Sequence, residues 1–174
     1  MASFFRQFIN SPLQTGALLP SSPALVNEML RPLNFRTAKT IVELGPGTGI
    51  FTVALLKRMR KNTRLIVIEI NKEFCKRLCN INDPRLRVIC GDAIKLSTFV
   101  RSADYVVSGL PLIGFPKEIH ESILQQIKKV VKKKYVQFHY SFLGESNLRF
   151  AFQNVTRSFV LANVPPAFVY VAKH

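Results

Sequence analysis

Apolar and amphipathic runs alternate along most of the chain. Residues 40–45, TIVELG, form a β-branched apolar run that ends in glycine, and residues 51–60 repeat apolar side chains at helical spacing before a basic end. This pair predicts a strand followed by a helix. The same order recurs in RLIVIEI and NKEFCKRLCN, where Asn71 is the predicted N-cap. It continues with the strand LRVIC, a short helix or turn in DAIKLSTFV, the strand ADYVVSG, a long amphipathic helix over 116–133 and a strand over 134–142.

Strands that are apolar on both faces and alternate with helices predict an α/β fold. Parallel strands need crossover helices, and these helices cover both faces of the sheet. The end of the chain, SFVLANVPPAFVYVAKH, breaks the alternation, because only a few residues around Pro165 and Pro166 separate its two extended runs. A connection this short predicts an antiparallel hairpin that closes one edge of the sheet.

Length and composition predict one domain, since 174 residues with 48% hydrophobic content can bury a single core. Residues 1–20 differ in character and are expected to form an amphipathic helix and tail over the functional site, with 21–174 as the single globular domain. The net charge of +15 leaves nucleic acid, anionic lipid and acidic ligands open as partners. Neither a spanning helix nor a signal peptide is recognisable, which predicts a cytoplasmic protein, soluble or peripherally bound to a membrane.

The cysteines indicate no special chemistry. Cys75, Cys79 and Cys90 form no CxxC pair and have no histidine cluster nearby. We therefore expect reduced, packed thiols and no metal site.

A glycine-rich loop follows the first predicted strand in the stretch IVELGPGTGIF. Gly45, Gly47 and Gly49 would let the backbone approach a ligand closely at the start of a helix. The Gly-Lys-Ser/Thr ending of a phosphate-binding P-loop is absent, and a dinucleotide GxGxxG would need glycine at position 50, where isoleucine stands. Glu43 lies two residues before the first glycine.

Two further carboxylates follow the next two strands. Glu69 ends the second strand, where an acid can accept hydrogen bonds from ribose hydroxyls, and Asp92 follows the third strand, where it could accept from an adenine amine. Either residue alone could simply cap the following helix. Together with the glycine loop, they predict a site for an adenosine-containing ligand without pyrophosphate.

The motifs VELGPGTG, VIEIN, CGDA and SGLPL resemble those of class I S-adenosylmethionine-dependent methyltransferases. The resemblance implies a Rossmann-like, seven-stranded sheet of order 3-2-1-4-5-7-6 with strand 7 antiparallel. It also implies S-adenosylmethionine as methyl donor, S-adenosylhomocysteine as product, and no metal. The implied cofactor contacts are Glu43, Gly45, Gly47, Thr48, Gly49, Glu69, Ile70, Asp92, Ala93 and Ser108.

The motif SGLPL, at the end of the fourth strand, suggests which molecule accepts the methyl group. Ribosomal RNA adenine dimethylases carry Asn-Leu-Pro and an aromatic residue here, whereas this chain has Gly109 in place of the Asn and Leu112 in place of the ring. This turn, with FFRQFINSPLQTGALLPSSPAL, VQFHYSF and NVPPAFVYV, is similar to bacterial phospholipid N-methyltransferases, which convert phosphatidylethanolamine stepwise toward phosphatidylcholine. The resemblance implies a phospholipid acceptor, with RNA adenine N6-methylation as the alternative. The implied substrate contacts are Gly109, Leu110, Pro111 and Leu112.

The start of the chain could bind a membrane. Phe4, Phe5, Phe8 and Ile9 share one helical face in ASFFRQFIN and could lie in a bilayer interface, or the same face could pack on the domain. The basic clusters KRMRKNTR and KKVVKKK would attract an anionic phospholipid surface but could equally contact RNA phosphates. We expect a monomer that associates peripherally with the inner face of the membrane.

Candidate catalytic residues lie near the ends of the fourth and fifth strands: Tyr140, Ser108 and His139. The resemblance places Tyr140 facing the cofactor, where its ring would favour a methylated ammonium through cation–π attraction. His139 is adjacent to Tyr140 on a strand, so only one of the two can face the pocket. The reaction needs alignment of two bound groups, and the sequence leaves open whether a general base exists.

Overall fold

A seven-stranded sheet organises the part of the chain that the computed structural model describes, residues 21–141 and 144–173. The strands are β1 (Thr40–Leu44), β2 (Arg64–Glu69), β3 (Leu86–Cys90), β4 (Ala103–Ser108), β5 (Val131–His139), β6 (Asn154–Val160) and β7 (Ala167–Lys173). Their order is β3-β2-β1-β4-β5-β7-β6, and β7 pairs antiparallel with both neighbours. The predicted fold class, strand order and closing hairpin are confirmed.

Six α-helices connect or flank these strands in the described ranges. They are α1 (Pro23–Leu30), α2 (Ile50–Arg58), α3 (Lys72–Cys79), α4 (Leu96–Phe99), α5 (Lys117–Val130) and α6 (Gly144–Ala151). Local capping fixes two of the starts. Ser22 accepts a hydrogen bond from the Leu25 amide before α1, and Asn71 accepts from the Glu73 and Phe74 amides before α3. The cap at Asn71 was predicted from the sequence.

The boundary between α5 and β5 differs from the prediction. The helix expected over 116–133 ends at Val130, and β5 begins directly at Val131, which pairs with Ala103 of β4. The lysines at 132–134 continue the amphipathic pattern locally, but pairing with β4 holds them in a strand. This pairing joins residues far apart in sequence, so local periodicity could not reveal it.

The sheet is buried on both faces. One face packs against α4, α5 and α6 through residues such as Leu96, Ile123 and Leu148. The other packs against α1, α2 and α3 through residues such as Leu25 and Leu55. We did not predict α6, which lies in LGESNLRFAF and places Leu148 in the core.

The two basic clusters lie at the same edge of the sheet. Each helix that follows a parallel strand runs back along it, so residues 57–64 and 128–134 both lie where the parallel strands begin. Asp104 lies at the same edge: its carboxylate forms an ion pair with Lys133 at 2.9 Å and accepts a hydrogen bond from the Lys39 amide at 2.7 Å, and the Lys39 carbonyl accepts from the Arg64 amide at 2.9 Å. We call this surface the basic edge. It lies opposite the ends of the strands that carry the glycine loop.

No helix in residues 21–141 or 144–173 is long and apolar enough to cross a membrane. The predicted amphipathic segment, with Phe4, Phe5, Phe8 and Ile9, lies outside the described residues.

Candidate active site

The sequence motifs converge where the parallel strands end. Leu44 at the end of β1 lies opposite Ile68 of β2 on one side and Ser108 of β4 on the other, and Glu69 lies opposite Cys90 of β3. The glycine loop, both carboxylates and the SGLPL turn therefore share one edge of the sheet. This is the edge at which open α/β sheets bind ligands.

The glycine loop depends on a backbone conformation that favours glycine. Gly45, Gly47 and Gly49 have φ angles of 64°, 53° and 85°, and no other residue type in the described part of the chain has a positive φ. A Cβ atom on Gly47 would meet nothing within 4 Å, so this part of the loop is open to a ligand. Thr48 beside it is exposed.

Glu69 ties the glycine loop to the end of β2. Its Oε2 accepts a hydrogen bond from the Gly47 amide at 3.1 Å, and its Oε1 accepts from the Asn71 amide at 2.8 Å. Burial raises the pKa of Glu69. The N-cap of α3 is Asn71, so Glu69 does not serve as the cap. A carboxylate has about four acceptor positions, which leaves capacity for ribose hydroxyls.

Asp92 caps the short 3-10 turn that follows β3. Its Oδ1 accepts a hydrogen bond from the Ile94 amide at 3.0 Å. Asp92 therefore acts as a cap. Its Oδ2 accepts no hydrogen bond from residues 21–141 or 144–173 and would be available to an adenine amine. Ala93 next to it is buried, and Ile70 is half-buried against the core.

Glu43 is a buried carboxylate beneath the glycine loop. Its Oε2 accepts a hydrogen bond from the Thr52 hydroxyl at 2.7 Å, whereas its Oε1 has no partner among the described residues. Burial, together with the nearby charge of Glu69, raises the pKa of Glu43 to about 8. A cationic ligand group would supply the missing partner.

These residues fit S-adenosylmethionine. Its ammonium and sulfonium charges would suit Glu43, the open face at Gly47 would accept its methionine part, and Glu69 and Asp92 would hold ribose and adenine. When bound, this cofactor supplies a methyl group activated by the sulfonium charge.

A buried hydrogen-bond network supports the SGLPL turn. The Leu110 amide donates to the Ser108 hydroxyl at 3.2 Å, and Gln137 Nε2 donates to the Leu110 carbonyl at 2.8 Å. The Tyr135 hydroxyl donates to Gln137 Oε1 at 2.5 Å. Ser108, a predicted catalytic and cofactor residue, is fully buried, so the contacts that it makes are structural. We did not predict the role of Gln137, although a glutamine inside the apolar strand VQFH was a signal.

Gly109 packs directly against the glycine loop. A Cβ atom on Gly109 would lie 2.8 Å from the Gly45 carbonyl oxygen, and one on Gly45 would lie 2.5 Å from Leu110 Cδ2. Real Cβ contacts are almost never shorter than 3.0 Å, so the backbone at Gly109 has no room for a side chain, asparagine included.

The other predicted substrate contacts differ in exposure. Pro111 is exposed, and Leu110 is buried with its side chain toward Gly45. The expectation that Leu112 contacts substrate needs correction, because its side chain is fully buried in the core beside α5. The buried side chains of Leu110 and Leu112 anchor the turn and so fix the position of its backbone.

His139 and Tyr140 point to opposite sides of the sheet, as strand alternation predicts. His139 contacts the Tyr170 ring in the core beneath α5, with centroids 5.7 Å apart. Burial, with nearby His120, lowers the pKa of His139 to about 4, so the imidazole is neutral and a weak base.

Tyr140 lies one residue beyond β5. It is half-buried on the side of α2, edge-on to Phe138 with centroids 5.5 Å apart. Burial raises the pKa of Tyr140, an effect that the adjacent Asn163 side chain opposes. Of the two predicted residues, Tyr140 is the one with surface that a substrate could contact.

Comparisons with known proteins show similarity to methyltransferases. A sequence model of the ribosomal RNA adenine dimethylase family matches residues 19–148. The chain is 30% identical to an ornithine lipid N-methyltransferase of Singulisphaera acidiphila, and the match covers 98% of this chain and 94% of that protein. It is 37% identical to a probable ribosomal RNA small subunit methyltransferase A of Pyrobaculum aerophilum over only 41% of this chain and 29% of that protein.

The fold is also found among solved structures. A precorrin-6y C5,15-methyltransferase of Geobacter metallireducens superposes with a TM-score of 0.72 over 90% of both chains, at 12% identity. A likeness at this identity concerns the fold alone.

Proposed function

The chain belongs to the ribosomal RNA adenine dimethylase family of S-adenosylmethionine-dependent methyltransferases, and we propose that it methylates the amine of an aminolipid headgroup at a membrane surface. Phosphatidylethanolamine is the acceptor that we propose. The lipid N-methyltransferase relative aligned over nearly the whole chain is named for ornithine lipid. Both lipids present a primary amine on a flexible chain, so the same acceptor site could take either.

One observation carries the choice of a lipid amine over an adenine. Gly109 stands where ribosomal RNA dimethylases have asparagine, and its Cβ position is closed by the Gly45 carbonyl at 2.8 Å. The absent aromatic residue is replaced by Leu112, which is buried and offers no surface for a base to stack on. An acceptor that needs neither contact, such as an alkyl amine, suits this turn better.

The turn can orient an amine through its backbone. The Leu110 carbonyl already accepts from the Leu112 amide at 2.9 Å and from Gln137 at 2.8 Å, and the Pro111 carbonyl accepts from the Gly114 amide at 2.9 Å. The Gly109 carbonyl accepts no hydrogen bond from any described residue. We propose that it receives an N–H of the amine, while the Tyr140 ring faces the charge that methylation leaves on nitrogen.

The acceptor amine must lose its proton before its lone pair attacks. His139 is too weak a base for this step, given its pKa of about 4, and burial keeps Tyr140 as a neutral phenol. We propose that the proton leaves to water before the groups align. The methylation rate should then rise with pH until the lipid amine itself is neutral, without a plateau set by an enzyme group near neutral pH.

The test supplies the purified protein and methyl-labelled S-adenosylmethionine with three acceptors in parallel: vesicles containing phosphatidylethanolamine, vesicles containing ornithine lipid, and ribosomal RNA. We expect label in lipid, and label in phosphatidylethanolamine supports the finer proposal. Label in ornithine lipid alone would change the acceptor. Label in RNA with none in either lipid would overturn the proposal.

RNA adenine methylation is the second candidate function. The family model and the RNA methyltransferase relative favour it. On this alternative, label in ribosomal RNA should survive deletion of residues 1–10, because base methylation needs no membrane contact. The basic edge could then hold phosphates, although it lies opposite the candidate active site.

A further inference from the structure

The loop between β6 and β7, residues 161–166, lies beside the acceptor site. His139 at the end of β5 is paired with Phe168 of β7, and Phe168 is paired with Phe159 near the end of β6. Because β7 is antiparallel to both neighbours, β6 runs in the direction of β5 and ends at the same edge. We call residues 161–166 the hairpin loop.

The polarity of the hairpin loop is the reverse of an ordinary surface turn. Leu161 and Val164 are 73% and 69% exposed, whereas Asn163 between them is only 2% exposed. Asn163 faces inward, donating from Nδ2 to the Pro165 carbonyl at 2.7 Å and accepting at Oδ1 from the Ser22 amide at 2.9 Å. The inward asparagine holds the two apolar side chains toward solvent.

Charge is absent from this region of a highly charged chain. No Lys, Arg, Asp, Glu or His occurs in residues 158–172, although the whole chain carries 25 basic and 10 acidic residues. A nucleic-acid contact would need cations, which the loop lacks. Apolar side chains can enter the acyl boundary of a bilayer, whereas charged side chains are costly in the hydrocarbon beneath it.

We propose that the hairpin loop is a membrane-docking element that inserts Leu161 and Val164 into the interfacial region of the bilayer that holds the acceptor lipid. This inference rests on the proposed function. Its position supports it, since Asn163 lies beside Tyr140 and is bonded to Ser22, the point where residues 1–20 join the domain. The hairpin loop therefore lies at the same edge of the sheet as the acceptor turn.

The test compares the wild type with the double variant Leu161→Ser/Val164→Ser. The matched control is Phe150→Ser, because Phe150 is 86% exposed but lies near the end of α6, toward the opposite edge. Loss of each inserted aliphatic side chain should weaken vesicle binding by about tenfold, so the double variant should bind about a hundredfold more weakly. Thermal unfolding should not change in either variant, since the replaced side chains are exposed.

Two measurements separate docking from catalysis. Binding is followed by flotation with vesicles of phosphatidylcholine and phosphatidylethanolamine, and methyl transfer is followed both on these vesicles and on a short-chain phosphatidylethanolamine dissolved as monomer. The double variant should lose vesicle binding and vesicle methylation but keep activity on the monomer, and Phe150→Ser should keep all three.

Unchanged vesicle binding by the double variant would overturn the docking proposal, as would an equal loss in Phe150→Ser. A dimer in light scattering that the double variant abolishes, with vesicle binding unchanged, would assign the loop to a second copy instead. Vesicle binding that depends on the loop, without methyl transfer to either lipid form, would support docking and overturn the proposed function.

Discussion

Replacing Gly109 with alanine tests the contact between the acceptor turn and the glycine loop. The added Cβ would lie 2.8 Å from the Gly45 carbonyl oxygen, whereas ordinary contacts begin near 3.4 Å. The backbone must therefore move by about 0.6 Å, because the obstacle is not a side chain that can rotate. Both loops resist this, since the Gly109 amide donates to the Leu44 carbonyl at 2.8 Å and the Gly45 amide donates to the Ile68 carbonyl at 3.0 Å.

Overpacking of this kind lowers the free energy of unfolding by about 1–3 kcal/mol. In a domain of this size, each kcal/mol lowers Tm by roughly 2–4 °C. Any strain that the protein relieves by moving Gly45 should appear as weaker binding of S-adenosylmethionine. Urea unfolding of the ligand-free protein measures the loss of stability, and calorimetric titration with the cofactor measures the loss of affinity.

Gly91→Ala is the matched control. Its Cβ would also lie at 2.8 Å from a neighbour, but that neighbour is Cζ of the Phe99 ring, which can rotate away. We expect a loss of less than about 1 kcal/mol at Gly91. Equal losses at the two positions, or a Gly109→Ala protein with wild-type stability and affinity, would refute the steric argument. Gly109→Asn should be more destabilised still and should gain no activity on RNA.

Two other substitutions and one labelling experiment have defined outcomes. Glu43→Gln keeps a hydrogen-bond acceptor for Thr52 but cannot ionise. In the wild type, the pKa of Glu43 in the folded state is about 8, above the ordinary 4.5, so the free energy of unfolding should fall by a few kcal/mol as the pH rises from 4.5 to 8. Urea unfolding at several pH values should show no such fall in the variant, and parallel profiles would contradict the burial of this acid. Gln137→Leu removes the hydrogen bond to the Leu110 carbonyl, so turnover should fall while the cofactor affinity measured by calorimetry stays the same. Unchanged turnover would exclude a role for this hydrogen bond in catalysis. Burial, with the neighbouring thiol of Cys90, raises the pKa of Cys75 to about 12, so iodoacetamide should label only the exposed Cys79 and Cys90 in the folded protein. Three adducts on the native protein in mass spectrometry would contradict this.

Local sequence was sufficient for elements whose structure is decided locally. Ser22 and Asn71 act as caps within three residues of their partners, and apolar runs marked the buried strands. The start of β5 was different, because Val131 is held in a strand by Ala103, which lies far away in sequence. The strand order came from the resemblance to a known family, which carries the long-range information that the pattern lacks.

The same division applies to the site. Glu69 and Asp92 could be placed together because both end parallel strands, whose carboxyl ends meet at one edge. The supporting contacts could not be placed, since Gln137 reaches Leu110 across 27 residues and Asn163 reaches Ser22 across 141. Leu112 was misassigned because a motif position does not say which way a side chain points.

The basic edge concentrates positive charge on the side of the domain opposite the acceptor site. Near an anionic bilayer, this charge would turn the glycine loop away from the membrane, so long-range attraction would deliver the molecule in an unproductive orientation. Screening acts over roughly 8 Å at physiological ionic strength. Added salt should therefore reduce the number of molecules captured by anionic vesicles while raising the turnover of each captured molecule. Long-range charge would then control how often the domain meets a membrane, and short-range apolar contact would control whether the encounter is productive.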